Sequence, residues 1–262
     1  MIKVIINADD LGLNPVVNKA IDDAMTNHQI SSSTILANSD YWSEIHQIVE
    51  KHPDCSFGVH LNLTEGKALT NSAVLRKYGI VDEDNCFTKK IKGCKSFPSE
   101  LKEAVYSEWD AQIKKVAVTE NIKFSHIDGH HHVHAIRDLS DILIKVIQKY
   151  KVPAVRCAYR KPAIFFYSQH YRFANPIVWV NYIRMLNWCG GIKNYTRMVS
   201  FFDSYETVCQ DVRNGMSYPD GCIVELMCHP GHTSYKKEFD MIINKELDGL
   251  VDMNLISYKD IL

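Results

Sequence analysis

Eleven residues, "SHIDGHHHVHA" from Ser125 to Ala135, hold five histidines and one aspartate. Read as a strand, they put His126, Asp128, His130, His132 and His134 on one face, and Ile127, Gly129, His131 and Val133 on the other. Stability alone does not favour such a face, because each buried imidazole or carboxylate must find a partner or lose roughly 2–7 kcal/mol of solvation. A metal ion or a reacting substrate would supply that partner. The chemistry that fits is a divalent ion held by one carboxylate and two imidazoles, with positions open for water and substrate. Such an ion lowers the pKa of its water toward roughly 7 and polarises a carbonyl. A second carboxylate beside it can take the water's proton, and a histidine across the cleft can protonate a leaving group. This is a hydrolase site in outline.

Positioning these groups requires a scaffold, and the chain alternates strand-like and helix-like segments. "KVIINA" (Lys3 to Ala8) is an apolar run of strand length. "NPVVNKAIDDAM" follows with Asn14 as N-cap, Pro15 in the first turn and apolar residues at helical spacing. "SSSTILAN", "SFGVHLNL", "FSHIDG", "AVRCAYR", "GCIVELMCH" and "NLISY" read as strands, and "SDYWSEIHQIVEKH", residues 98–119, "IRDLSDILIKVIQKY", "SYETVCQDVRNG" and "KKEFDMIINKEL" as helices. The alternation predicts one α/β domain, 1–262, with about six or seven parallel strands in a (β/α) barrel or a barrel with a gap. Two stretches fit it poorly: a polar, turn-rich insertion (about 64–97) and an aromatic-rich excursion (about 162–202) that would wall a cleft or meet a second copy in a homodimer.

In parallel α/β folds the site lies at the carboxyl ends of the strands. Those ends carry Asp9 and Asp10, His60 and Asn62, the histidine cluster, Arg156 and Arg160, and finally Glu225, His229 and His232. Each has a plainer reading. The paired aspartates could end a strand in a turn, His60 could be a satisfied core histidine, and Arg156 a structural ion-pair partner. Their joint occurrence at five strand ends favours a site.

The composition excludes several functions. Thirty basic against 31 acidic residues give a net charge of -1, without the basic excess of a nucleic-acid binder. No apolar run approaches the roughly 20 residues of a membrane span, and the first residues do not read as a signal peptide. Eight cysteines without a C-x-x-C pair read as reduced residues of a cytoplasmic protein.

"IINADDLGLNPVVNKAIDDA", "SSSTILAN", "FGVHLNLTEGKAL", "SHIDGHHHVH" and "VELMCHPGH" resemble, in that order and at comparable spacing, the YdjC-like carbohydrate deacetylases, whose best-known members are the chitooligosaccharide deacetylases. The resemblance implies a distorted (β/α) barrel akin to that of polysaccharide deacetylases, one divalent ion (Mg2+ favoured, Zn2+ the alternative) and removal of acetyl from N-acetylated sugars. It also implies that Asp10, His60 and His130 are the metal ligands and Asp9 the general base. By analogy with the wider deacetylase group, His229 is the general acid and Arg156 keeps Asp9 charged. Asp128 and His126 would orient ligands or hydrogen-bond in the layer behind them, His132 or His134 would line the sugar cleft, and His131 would be structural. A serine is expected where Gly129 stands, a change that should leave the ligand undisturbed. Two rivals remain open: a phosphoesterase or other amidohydrolase on a similar barrel, and a non-catalytic carbohydrate-binding protein.

Overall fold

The computed structural model describes residues 1–157 and 187–262. Seven parallel strands form its sheet: β1 (Ile2–Leu11), β2 (Ser32–Leu36), β3 (Ser56–Leu61), β4 (Ile127–Gly129), β5 (Phe201–Ser204), β6 (Ile223–Cys228) and β7 (Met253–Leu255). Six run in the order β4-β3-β2-β1-β6-β5 as a half-barrel, and β7 pairs with the first residues of β1. Beyond β4, Val155 bridges Ile127 and Ala154 bridges Arg197, which carries the hydrogen bonding on toward β5.

The strands read as near-continuous apolar runs because helices cover their outer face and side chains fill the inner one. The α-helices include α1 (Pro15–Thr26), α2 (Trp42–Lys51), α3 (Ala73–Lys77), α4 (Ser99–Lys114), α5 (Ser140–Tyr150), α6 (Tyr205–Arg213) and α7 (Lys236–Ile243), and residues 187–193 are helical too. Asn14 caps α1 by accepting from the Val17 N–H, with Pro15 directly after it, as the sequence predicts. Ile5, Ile21, Ile35, Val59, Trp109 and Leu226 are wholly buried in the common core.

Three expectations change. The histidine run is not a strand: β4 stops at Gly129, and residues His130–Ala135 turn as a 3-10 helix in which His131 (φ 52°) and His132 (φ 59°) are left-handed. Period-two alternation therefore ends at His130. The end of the aromatic excursion is regular structure, since Phe201 and Phe202 belong to β5. The 64–97 insertion is also folded, with antiparallel bridges Lys67–Cys86 and Val81–Phe87 around buried Leu75, Ile80 and Ile91. Arg160 and the aromatics Phe165, Phe166, Tyr167, Tyr171, Trp179 and Tyr182 lie outside the described residues.

Candidate metal centre and active site

Adjacent residues of a regular strand point to opposite faces, so two neighbouring aspartates should not share a cleft. Here they do. The pairing of β1 with β2 shifts register between Ala8 and Leu11, and Asp10 takes a left-handed backbone (φ 71°). Gly12 completes the turn at φ 96°, where a Cβ would lie 2.8 Å from Ser39 Oγ. Asp9 and Asp10 are both buried as a result, and both lie beside His60.

Asp10 Oδ1 lies 2.7 Å from His130 Nδ1 and 3.2 Å from His60 Nε2. All three side chains are at most 7% exposed. The carboxylate oxygen is close enough to both rings for ion pairing yet out of line for a hydrogen bond, and it has no hydrogen-bond partner. Three ligand atoms facing one another around such an orphaned oxygen fit a cation between them better than they fit each other.

The remaining ring nitrogens are fixed. His60 Nδ1 faces Asp128 Oδ1 at 2.6 Å and Thr34 Oγ1 at 3.1 Å, which leaves Nε2 for the ion. His130 Nε2 faces Glu65 Oε2 at 3.1 Å, which leaves Nδ1. Burial opposes charge on His60, but Asp128, Asp10 and Asp9 outweigh it and carry the imidazole up to about 10. Burial likewise opposes the ionised Asp10, and His130 and His60 hold it well below the usual carboxylate range. The cluster carries surplus negative charge that a bound cation would neutralise in place of protons.

Arg156, fully buried, forms the floor. It donates to both oxygens of Asp9 (2.7 and 2.6 Å) and to Glu225 Oε1 (2.8 Å), and its Nη1 lies 2.8 Å from Asp128 Oδ2. Asn7 Nδ2 adds a bond to Asp9 Oδ1 at 2.9 Å. Burial would raise the Asp9 carboxyl, but Arg156 overrides it and keeps Asp9 ionised. Behind Arg156, Tyr258 donates to Glu225 Oε2 at 2.6 Å and stacks on His126, whose Nε2 faces Asn7 Oδ1 at 3.2 Å.

On the opposite wall, His229 follows β6. Its ring stacks on Tyr235, and Nδ1 and the backbone N–H both meet Glu238 Oε2, at 3.3 and 3.0 Å. Nε2 is left for the cleft. Burial pushes the imidazolium down, yet Glu238, Asp9 and Asp10 bring the net shift up.

The fold thus brings Asp9, Asp10, His60, His130, Arg156 and His229 together. Other expected members stand elsewhere. His126 touches none of Asp10, His60 and His130 but takes the other place expected for it, behind the site, where it hydrogen-bonds Asn7, itself bonded to Asp9, and stacks on Tyr258. His134 is fully buried with its ring edge-on to Trp188, so it does not line the cleft, while His132 packs edge-on to Phe202. His131 is exposed at the mouth, facing Thr64 Oγ1 at 2.9 Å. At Gly129 a Cβ would sit 2.8 Å from His134 Nδ1 and 3.0 Å from His134 N, so in this chain a serine there is not a small change.

Residue types alone did not single out Glu65, Thr34, Asn7, Tyr258 and Glu238. Glu65 carried a signal: Asn62 three residues earlier accepts from the Thr64 and Glu65 N–H groups, and Gly66 at φ 72° closes the loop. Gln112 of α4 clamps both backbone groups of Asn62, at 2.8 and 2.7 Å, so the long helix sets the height of Glu65.

Two further ligand groupings exist among the described residues, Asp9–His60–Asp128 and Glu65–His130–His131. The first is filled by the Arg156 guanidinium, and the second shares His130 with the Asp10 group. The Asp10 group is therefore the one suited to a resident ion.

A family model described as "YdjC-like protein" matches residues 3–256. A carbohydrate deacetylase of Halalkalibacterium halodurans is 29% identical over 94% of this chain and 97% of its own length. Another, from Thermoanaerobacter pseudethanolicus, is 33% identical over 57% of this chain and 58% of its own. Among solved structures, a protein of Enterococcus faecalis V583 assigned provisionally to cellobiose-phosphate cleavage superposes with a TM-score of 0.72 at 23% identity, covering 99% of this chain and 98% of that one. With a family model that matches almost the whole chain, this chain belongs to the YdjC-like family.

Proposed function

We propose that the chain is a metal-dependent carbohydrate deacetylase that removes acetyl groups from N-acetylated sugars such as chitooligosaccharides. The observation that carries this reading is the division of labour between neighbours: Asp10 turned to His60 and His130, and Asp9 turned to Arg156 beside them. The deacetylase names of the relatives support it.

Asp10, His60 and His130 would hold one divalent ion, Mg2+ or Zn2+, which when bound polarises the acetyl carbonyl and acidifies water. Asp9 is ionised and oriented by two Arg156 bonds; Oδ1 also accepts from Asn7, while Oδ2, with Arg156 as its one donor, keeps a lone pair with which to take a proton from the attacking water. His229, held through Nδ1 by Glu238, presents Nε2 to the departing amine and gives it a proton. A binding protein would need neither a spare base nor an acid across the cleft.

Acetate release from a panel of N-acetylated sugars tests the reading, with the ion stripped by chelation and then restored. Turnover that is lost with the ion, returns with it, and is absent in Asp10→Ala is the expected result. Full activity of Asp10→Ala, or of the stripped protein, rules the reading out. Two or more ions per chain would favour a phosphoesterase instead.

A further inference from the structure

Val155 N donates to Arg197 O at 2.9 Å and Arg156 N to Ile127 O at 3.0 Å, so the chain runs strand-like between two neighbours here. Successive side chains of such a segment face opposite ways, and the residue after Arg156 turns from the cleft that Arg156 floors. That residue is Cys157, wholly buried, and its Sγ lies 3.3 Å from Sγ of Cys189, which is 3% exposed. Both are reduced. Cys189 stands on helical residues 187–193, one past Trp188, whose ring lies edge-on to His134. The two sulfurs therefore meet between the segment that orients Asp9 and the helix that packs against the histidine turn.

Two thiols already in contact need little motion to reach bonding distance. Gly190 and Gly191, directly after Cys189, are exposed, and a Cβ on either would meet nothing within 4 Å. A small oxidant can approach Cys189 past them, whereas a bulky thiol or a second chain is kept from Cys157 by its burial. With hydrogen peroxide the electrons balance in two steps. The Cys189 sulfur attacks one peroxide oxygen, an S–O bond forms, the O–O bond breaks, and the hydroxide released takes the thiol proton and leaves as water. The Cys157 sulfur then attacks the sulfenic sulfur, an S–S bond forms, the S–O bond breaks, and a second water leaves with the Cys157 proton. Two thiols are oxidised and one peroxide is reduced.

We propose that Cys157 and Cys189 are a redox modification site, at which peroxide forms a disulfide that ties the Arg156 segment to helical residues 187–193 and a small dithiol releases it. The whole chain is treated with hydrogen peroxide, unfolded in an alkylating agent and digested, and its peptides are weighed. The expected product is a peptide pair joined through Cys157 and Cys189 that dithiothreitol separates. The oxidised protein should also unfold at a higher urea midpoint than the reduced one, because a ring closed between residues 32 apart restricts the unfolded chain. Cys157→Ser should remove both the joined peptides and the rise in midpoint. Recovery of the two cysteines as alkylated thiols or joined to other cysteines overturns the proposal, as does a midpoint that oxidation leaves unmoved. The peptide map needs only the wild type, so it decides even where Cys157→Ser fails to fold.

Discussion

His60 and Asp128 are register partners on adjacent parallel strands, and their side chains meet at 2.6 Å on the same face. The sheet itself, rather than a loop, fixes which nitrogen of His60 is offered to an ion. Asp128→Asn keeps the shape and removes the charge that makes His60 a strong donor. Affinity for the divalent ion should fall about 10–100-fold, with the fold intact by circular dichroism. Metal titration by calorimetry at fixed pH measures this, and unchanged affinity would sever the link.

His229 must be protonated to act as an acid, so the rate should fall as pH rises through its raised pKa. Glu238 is the nearest group holding that pKa up against burial. Glu238→Gln should move the basic limb of the kcat profile to lower pH, whereas His229→Ala should cost about 10²–10⁴ in kcat and erase that limb.

Three carboxylates share Arg156, and one of them resists ionisation: burial outweighs the Arg156 and Tyr258 contacts and lifts Glu225 from 4.5 to about 7. A raised acid contributes stability below its unfolded value that is lost as pH rises through its folded value. Wild-type stability should therefore decline between about 4.5 and 7 on account of Glu225. Glu225→Gln should flatten that segment, as read by urea unfolding at a series of pH values. Equal slopes in the two proteins would contradict the assignment.

Gly129→Ser should destabilise the chain by about 1–3 kcal/mol, because its Cβ must displace His134. His134→Ala in the same chain should relieve most of that cost. A double-mutant cycle on urea midpoints reads the coupling, and additive effects would show that the two positions do not compete for space.

How much of this was legible beforehand varied with the physical signal. Strand and helix alternation exposed the barrel, because apolar runs and caps are local. The aspartate pair and His60 were visible from residue type at strand ends. The histidine run misled because alternation assumes continued β geometry, and two left-handed residues in succession break it in a way that no residue type announces. Tyr258 escaped notice because it reaches Glu225 from 33 residues away, and Glu238, nine residues after His229, because it lies on α7, which reads as an ordinary amphipathic helix.

Tyr258 stands behind Arg156, and β7 and β6 supply pairing to β1, the strand that carries both aspartates. β7 meets β1 only at Ile2–Val4, whereas the aspartate end of β1 lies beside its β2 and β6 pairings. A chain cut short of Tyr258 would keep those pairings and most of its helices while losing the hydrogen bond to Glu225 that braces Arg156 under Asp9.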